Sequence, residues 1–433
     1  MVHKIIIGRS ERDKEKFGDE GVVLIGKQYI QMGKTISLSN EIWLDVVRPH
    51  VIMIAGKRGG GKSYTMGVIA EGIAQMPDEV KENISALIID TMGIYWTMKH
   101  PNFRDELLLE KWGMKPKGFS NVRVFVPHGK VDYYKKKGIS LDYPFSIPTS
   151  LVNGSEWNML FGVEPVSPMG IAIDRTITKL RESKESYDLD DIINHINKDE
   201  KIEPSIKLAL ESRFEAVKSW GVFDKKGTDI KKLLKPGTVS VVDVSTYSHL
   251  VGGFSVRALV IGLLSKMILE ERMVARKIEE MQEIRGSNKE KDIPIVWVFI
   301  DEAHEFLPKE GKTLATGPLI QVIREGRQPG ISLVLATQQP GKLHTDVLTQ
   351  SDLVISHRVT AKIDINALNS IMQTYLVYDI QKYLDMLPRM PGSAIVLDDN
   401  QERIFPIQIR PRYTWHGGET PTAMPPKKKL PFE

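Results

Sequence analysis

The chain of 433 residues is long enough for one large α/β body or up to about three smaller units. Its net charge of +4 neither demands nor excludes a nucleic-acid partner, because a basic channel can sit inside a near-neutral total. There is no cysteine, which excludes disulfides, cysteine nucleophiles and Cys-ligated zinc or iron–sulfur centres, and the ten histidines show no paired-ligand spacing, so no structural transition metal is expected.

The N-terminus is charged and lacks the apolar core of a signal peptide. Residues 1–48 contain "GVVLIG", "QYIQMG" and "KTISLS", which predict short strands of a small β-rich appendage, too few for a barrel. From Val51 onward strands alternate with helices. The candidate strands are "VIMIAG" (51–56), "ALIID" (86–90), "VRVFVP" (122–127), "TVSVVDV" (238–244), "IVWVFID" (295–301), "SLVLAT" (332–337), "LVISHRV" (353–359), "SAIVLD" (393–398) and "RIFPIQI" (403–409). Several are apolar with little alternation, the pattern of strands covered on both faces. An α/β layered sheet follows from that order.

Between about 100 and 237 the alternation gives way to "SEWNMLFG", "MGIAIDRTITKLRES", "LDDIINHIN" and "IKLALESRFEAVKSWG", amphipathic patterns that predict a mostly helical insertion. Residues 253–281 predict one long helix, apolar early and charged late. Its run "ALVIGLLSKMIL" is too short to span a bilayer, so a cytoplasmic protein without a membrane segment is expected. "RGSNKEKD" (285–292) predicts a solvated loop. The expected organisation is a segment 1–48, an α/β core 49–412 with its insertion, and a flexible tail 413–433 rich in Pro, Gly and Lys.

The chemistry begins with Gly56-x-x-x-x-Gly61-Lys62-Ser63, placed between a strand and a helix. That is the spacing of a phosphate-binding P-loop. Gly59, Gly60 and Gly61 let the backbone approach an anion, Lys62 reaches the β/γ-phosphates, and Ser63 supplies a hydroxyl for Mg²⁺. Tyr64 follows in the helix's first turn and belongs to the same nucleotide-binding stretch. A second apolar strand ends in Asp301-Glu302. The aspartate can hold Mg²⁺ through its water shell, and the glutamate can polarise an attacking water. Switch GTPases do not generally carry this second acid, so ATP hydrolysis is favoured.

The letters D-E-A-H (Asp301 to His304) also invite a two-lobed helicase reading, but the arginine-rich "QVIREGRQPG" follows too closely to belong to a second lobe. The strand "SLVLATQQP" ends in Gln338, which serves either as a γ-phosphate sensor or as turn chemistry. Arg324 and Arg327 are candidates for an arginine supplied to a neighbour's site, or are plain surface arginines. Asp90, at the end of its strand, either faces the crevice or caps a turn. "HGKVDYYKKKG" (128–138), with Lys135, Lys136 and Lys137, and "PKEGKT" (308–313), with Lys309 and Lys312, are either DNA-tracking loops or solvated ones.

Together these stretches resemble the HerA/FtsK class of P-loop motors, HerA-type ATPases most closely. The likeness is carried by "GKRGGGKSYTMGVIAEG", "IIDTMGIY", "VFIDEAHEFLP" and above all "VIREGRQPGISLVLATQQPGKLHTDVLTQSDLVISHRV", in the family's order from about 50 to 410. The resemblance implies a RecA-like P-loop ATPase with a mostly parallel central sheet. It also implies ATP and Mg²⁺ as cofactors, and a homohexameric ring that moves double-stranded DNA, in some members with a NurA-type nuclease. By position, Lys62 and Ser63 are the Walker A residues, Asp301 and Glu302 Walker B, Gln338 the sensor and Arg327 the trans-acting arginine, with Arg324 beside it. An assembly scaffold gated by nucleotide, or a secretion or conjugation ATPase, are the alternatives. Two departures stand out. The stretch before the P-loop is much shorter than the family's usual barrel, and the family's Gly-Glu-Tyr is Gly93-Ile94-Tyr95 here.

Overall fold

The computed structural model describes residues 3–32, 35–249, 252–286, 293–371 and 380–418. Strand β1 (Lys4–Ile7) precedes helix α1 (Glu11–Phe17), the long strands β2 (Val22–Met32) and β3 (Thr35–Asp45), and β4 (Val51–Ala55), which runs into α2 (Lys62–Ala74). Then come α3 (Asp78–Lys81), β5 (Ile84–Asp90), α4 (Glu106–Lys111), β6 (Val122–Pro127), α5 (Val131–Lys137) and the short β7 (Tyr143–Phe145) and β8 (Ile147–Pro148). A run of helices follows: α6 (Gly154–Phe161), α7 (Pro168–Ser183), α8 (Leu189–Lys198) and α9 (Pro204–Lys218), then β9 (Phe223–Asp224) and α10 (Ile230–Leu233). The chain re-enters the sheet as β10 (Val239–Asp243), crosses by α11 (Gly253–Ile284) to β11 (Ile295–Ile300), by α12 (Thr316–Glu325) to β12 (Ile331–Thr337), and by α13 (Thr345–Gln350) to β13 (Leu353–His357). Helices α14 (Lys362–Ile371) and α15 (Ile380–Met386) lead to the hairpin β14 (Ser393–Asp398) and β15 (Arg403–Ile409).

Thirteen of these strands form one sheet, in the order β1-β3-β2-β15-β14-β13-β4-β12-β11-β5-β10-β6-β7. From β13 to β7 every neighbouring pair is parallel. The parallel strands are predominantly apolar because both faces are covered. Alternate residues feed two cores. Met53, Ala55, Leu87 and Ile89 join the core that includes α6 to α9 and α11, while Ile52, Ile54, Ala86 and Ile88 join the one beneath α2. The expected α/β architecture with a mostly parallel sheet is therefore present.

Three expectations are corrected. The N-terminal strands are not an appendage but an antiparallel wing of the same sheet, since β15 pairs with β2 and β2 with β3. "GVVLIG" and "QYIQM" form the single strand β2, kinked by register shifts. At Gly26 a Cβ would stand 2.2 Å from the Gln408 carbonyl, so only glycine permits that pairing. Pairing there covers the edge that β15 would otherwise leave open. The charged segment Glu11–Phe17, which has no apolar periodicity, is a helix capped by the Ser10 side chain. Finally, residues 413–418 are not a free tail: Thr414 is buried and Trp415 N–H bonds His100 O at 2.9 Å. Most of the insertion is helical as expected, but β6 within it is a strand of the main sheet. Residues 287–292 of the predicted loop, and 419–433 of the predicted tail, lie outside the described residues.

Buried charges tie the wing to the core. Arg9 pairs with Asp45, both buried, and also bonds Gly18 O at 2.8 Å. His50, next to β4, bonds Asp352 at 2.6 Å and lies 3.4 Å from Asp45. Burial opposes a charge on this imidazole, but the Asp352 and Asp45 carboxylates outweigh it and raise its pKa from 6.5 to about 10. A raised folded pKa gives stability that is complete below pH 6.5 and disappears as pH climbs to 10. Thermal melts across that window should show wild-type stability declining. His50→Gln should be less stable at pH 6.5 by about 3–5 kcal/mol and lack this decline, because two carboxylates lose their cation. A variant that melts like wild type at pH 6.5 would contradict the assignment.

Candidate nucleotide-binding site

Because the strands run parallel, their carboxyl ends share one edge, where open α/β sheets bind ligands. β4 ends in the glycine turn. Gly56 N–H bonds Thr337 O at 3.3 Å and Lys57 N–H bonds Arg358 O at 3.2 Å, so the loop hangs between β12 and β13. Gly59 and Gly61 take φ of +72° and +107°, conformations that favour glycine. The first bond of α2 is Thr65 N–H to Gly61 O at 2.8 Å. The N–H groups just before it are left for an anion, and the helix dipole adds positive potential.

Under the loop lies a residue the sequence reading passed over. A Cβ on Gly56 would stand 2.8 Å from the Cβ of His357, and one on Gly61 would stand 3.2 Å from its Cε1. The ring is buried, which lowers its pKa from 6.5 to about 4 and keeps it neutral. Its Nδ1 lies 3.1 Å from the Ser393 carbonyl, which can only accept, so Nδ1 carries the proton. Nε2 then accepts from the Thr65 hydroxyl at 2.8 Å.

The structure brings the predicted acids to this loop. The Ser63 hydroxyl donates to Asp301 Oδ2 at 2.5 Å. A hydroxyl and a carboxylate oxygen on one spot make a hard-oxygen pair that fits Mg²⁺. Glu302 N–H bonds Asp301 Oδ1 at 2.8 Å, and Glu302 adopts φ +53°, a left-handed conformation costing about 1–3 kcal/mol for a non-glycine residue. That backbone turn accompanies a distinctive carboxylate. Gln338 donates its amide to Glu302 Oε1, whereas Oε2 is buried without a hydrogen bond, its near neighbour being His304 Nδ1 at 3.5 Å. His304 itself contacts Thr337 Oγ1 at 3.2 Å. Burial pushes the Glu302 carboxyl up; the Gln338 bond opposes this and Asp301 adds to it. Burial likewise pulls Lys62 down, against the attraction of Glu302 and Asp301, and its ammonium reaches Lys57 O at 3.3 Å. The set offers a cationic phosphate contact, a metal-binding pair and a buried carboxylate oxygen with no hydrogen bond of its own.

Other candidates fall elsewhere. The Tyr64 side chain turns away from the loop: its hydroxyl accepts from Arg412 N–H at 2.6 Å, so only its backbone remains for a nucleotide. Asp90 is not a crevice residue. It is buried and accepts N–H groups from Met92, Gly93 and Tyr95 at 3.1, 2.7 and 2.8 Å, which makes it the cap of the turn after β5. Burial and the neighbouring Asp243 raise its pKa to about 7. That turn aims Tyr95, whose hydroxyl bonds Ser63 O at 3.1 Å. Arg324 pairs in the same chain with Asp346 at 2.6 Å. Arg327 is exposed, and no side-chain partner for it is seen among the described residues. It sits before β12, at the opposite end of that strand from Gln338, roughly 20 Å from its own P-loop. "HGKVDYYKKKG" is not a loop: Val131–Lys137 is helix α5, with Tyr134 buried against the core and Tyr133 exposed. Lys135, Lys136 and Lys137 are exposed on it, as are Lys309 and Lys312 in the loop after β11.

A second feature missed from sequence is the anchor of α2. Glu71 is buried and accepts from Arg410 and Arg412, each at 3.0 Å, and from the Tyr413 and Thr414 N–H groups at 3.1 Å. Burial would raise this carboxyl, but the two arginines bring it below its ordinary value. The signal was present: an acid inside "MGVIAEGIA", an otherwise apolar helix, must have a buried partner.

Fold and site together define a RecA-like P-loop NTPase with a two-acid strand beside its phosphate loop. Among known families, the one described as "Helicase HerA, central domain" matches residues 30–268, and the chain belongs to it. A model for the zonular occludens toxin matches the smaller stretch 256–385. The chain is 26% identical over 329 residues to the DNA double-strand break repair helicase HerA of Saccharolobus solfataricus, covering 74% of this chain and 57% of that protein. It is 22% identical over 403 residues to a probable HerA of Methanocaldococcus jannaschii, covering 85% and 71%. The chain thus spans little more than half of the Saccharolobus relative's length. The solved VirB4 of Thermoanaerobacter pseudethanolicus has the same fold, with a TM-score of 0.55, 11% identity, and coverage of 90% and 96%.

The loop geometry gives a direct check. Gly61→Ala would place a methyl against His357 in a strained conformation. Nucleotide affinity, read by titrating a fluorescent ATP analogue, should fall at least about tenfold while the melting curve stays cooperative. Unchanged affinity would contradict the loop assignment.

Proposed function

We propose that the chain is an ATP hydrolase whose turnover drives double-stranded DNA through a homohexameric ring in the cytoplasm. The ring would serve DNA end processing or defence alongside a nuclease of the NurA type. The observation that carries the reading is Glu302. Its carboxylate is fixed by Gln338 on one oxygen, has no hydrogen bond on the other among the described residues, and lies near enough to Lys62 of the P-loop and to Asp301 of the metal-binding pair to feel both charges. In this reading the glycine turn and Lys62 bind the ATP phosphates. Ser63 and Asp301 would hold Mg²⁺, and the ion when bound would neutralise phosphate charge. Glu302 Oε2 takes the proton of the attacking water, helped by burial that raises its basicity. Gln338, bonded to Glu302, is placed to pass the presence of a γ-phosphate to the base.

Arg327 completes the site from a neighbour. Its position at the far end of β12, and its having no side-chain partner among the described residues, support a role in trans, where Arg324 is already engaged by Asp346. Exposed lysines 135–137, 309 and 312 would meet DNA phosphates without reading sequence. The names of the HerA relatives, both described as double-strand break repair helicases, support DNA as the substrate.

Glu302→Gln should bind ATP normally and lose about 10²–10⁴-fold in turnover. Wild-type turnover in this variant would overturn Glu302 as the base. Arg327→Ala should also bind and not turn over, as should Lys62→Ala fail to bind. Mixing the two inactive variants should restore part of the activity, because each supplies what the other lacks. A mixture that stays inactive at every ratio would contradict the trans arginine.

A further inference from the structure

Two apolar surfaces of the described chain have nothing packed on them. One is the far half of α11. This helix has 32 residues, about 48 Å, against 6 residues, about 20 Å, in the neighbouring β11. Its near half is buried as far as Arg272, whose guanidinium bonds the carbonyls of Pro329 and Ile293. Beyond that point Met273, Val274, Ile278, Met281 and Ile284 are all exposed, by 43% to 79%. At about 100° per residue they fall within one arc of roughly 140°. The charges inside the arc are Lys277 and Arg285. The acids lie outside it, with Glu279, Glu280 and Glu283 tied to Arg276. The stripe is therefore apolar and basic on the side that meets solvent.

The other surface surrounds α4. Leu109 anchors the helix in the interior, while Phe103, Leu107 and Leu108 stand 66%, 71% and 46% exposed. Glu106 and Glu110, also exposed, are four residues apart on one side of this helix, and Glu110 lies three residues from Leu107. Of the nearby cations, Arg104 is held over the Trp415 ring at 5.2 Å and Lys111 ends the helix. This segment belongs to the α2 side of the sheet: Asn102 N–H and Lys117 N–H bond Tyr413 O, and Tyr413 packs on that core. The α11 helix belongs to the opposite core.

We propose that the two surfaces meet between copies of this chain, the α11 stripe of one copy lying on the Phe103–Leu108 face of the next. The inference rests on the ring reading above and names its contact. Lys277 and Arg285 face Glu106 and Glu110 across it, around a core of methionine, branched aliphatics and Phe103. Two different surfaces on opposite sides of one sheet cannot satisfy each other within a chain. They make a head-to-tail contact, the kind that closes rings. The stripe also begins where Arg272 grips Pro329, two residues from Arg327, so the contact carries that arginine toward the neighbour.

The absence of cysteine makes the test direct. Ile278→Cys and Leu107→Cys are made separately, mixed and treated with a short bis-maleimide, and the wild-type mass in solution is recorded in the same buffer. The expected result is a linked dimer from the mixture and none from either variant alone. Charge reversal supplies the second arm. Lys277→Glu with Arg285→Glu should lose the assembly, and adding Glu106→Lys with Glu110→Lys to the same chain should restore it. An assembled wild type whose mixture gives no linked dimer overturns this contact and leaves the ring standing. Linking in Ile278→Cys alone overturns it in favour of stripe against stripe. A monomeric wild type overturns the ring reading itself, and this inference with it.

Discussion

Parallel alignment of the strands from β13 to β7 is the constraint on which the site depends. Parallel strands need crossover connections, and those put helices over both faces. Both faces must then be apolar, so polar side chains are driven to the strand ends. The carboxyl ends of β4, β11, β12 and β13 meet at one edge, and each delivers one component there: the phosphate loop, Asp301-Glu302, Gln338 and His357. None of these could reach the others if one strand were reversed.

Buried charges then hold this edge in register with the rest of the chain. Glu71 fastens α2 to the returning segment through Arg410 and Arg412, so the P-loop helix cannot shift without stranding a carboxylate. His50, between Asp352 and Asp45, does the same at the other end of β4. The phosphate loop is thus braced on three sides: by Glu71 along its helix, by His50 behind its strand, and by the neutral His357 beneath its glycines. The left-handed backbone at Glu302 is stored strain of a kind that only such a rigid frame sustains.

Much of this was legible in the sequence, for definite reasons. The buried strands were visible as unbroken apolar runs, and the loop and acid pair as local spacings at strand ends. The meeting of Gln338 with Glu302 was partly foreseeable, because both end buried strands. Part of what escaped depends on pairing across long stretches of chain. The wing of β1 to β3 looked like an appendage because nothing local says that β2 will pair with β15, almost four hundred residues on. Asp90 could be read either as a crevice residue or as a turn cap, because a strand-end carboxylate reads the same whether it faces a ligand or three backbone N–H groups. His357 resembled any residue of a buried strand, and its place under the loop follows from the β13–β4 register. Helix α5 looked like a loop because its seven residues carry three lysines and only one side chain, Tyr134, that is buried.

The central claim is that the braced site turns over ATP in the service of moving double-stranded DNA. Steady-state ATP hydrolysis with and without linear double-stranded DNA, followed across a salt titration, tests it most directly. The account predicts turnover stimulated by DNA, with stimulation that fades as salt rises, because phosphate contacts made by lysines are weakened by counterions. Turnover indifferent to DNA at every salt concentration would contradict it.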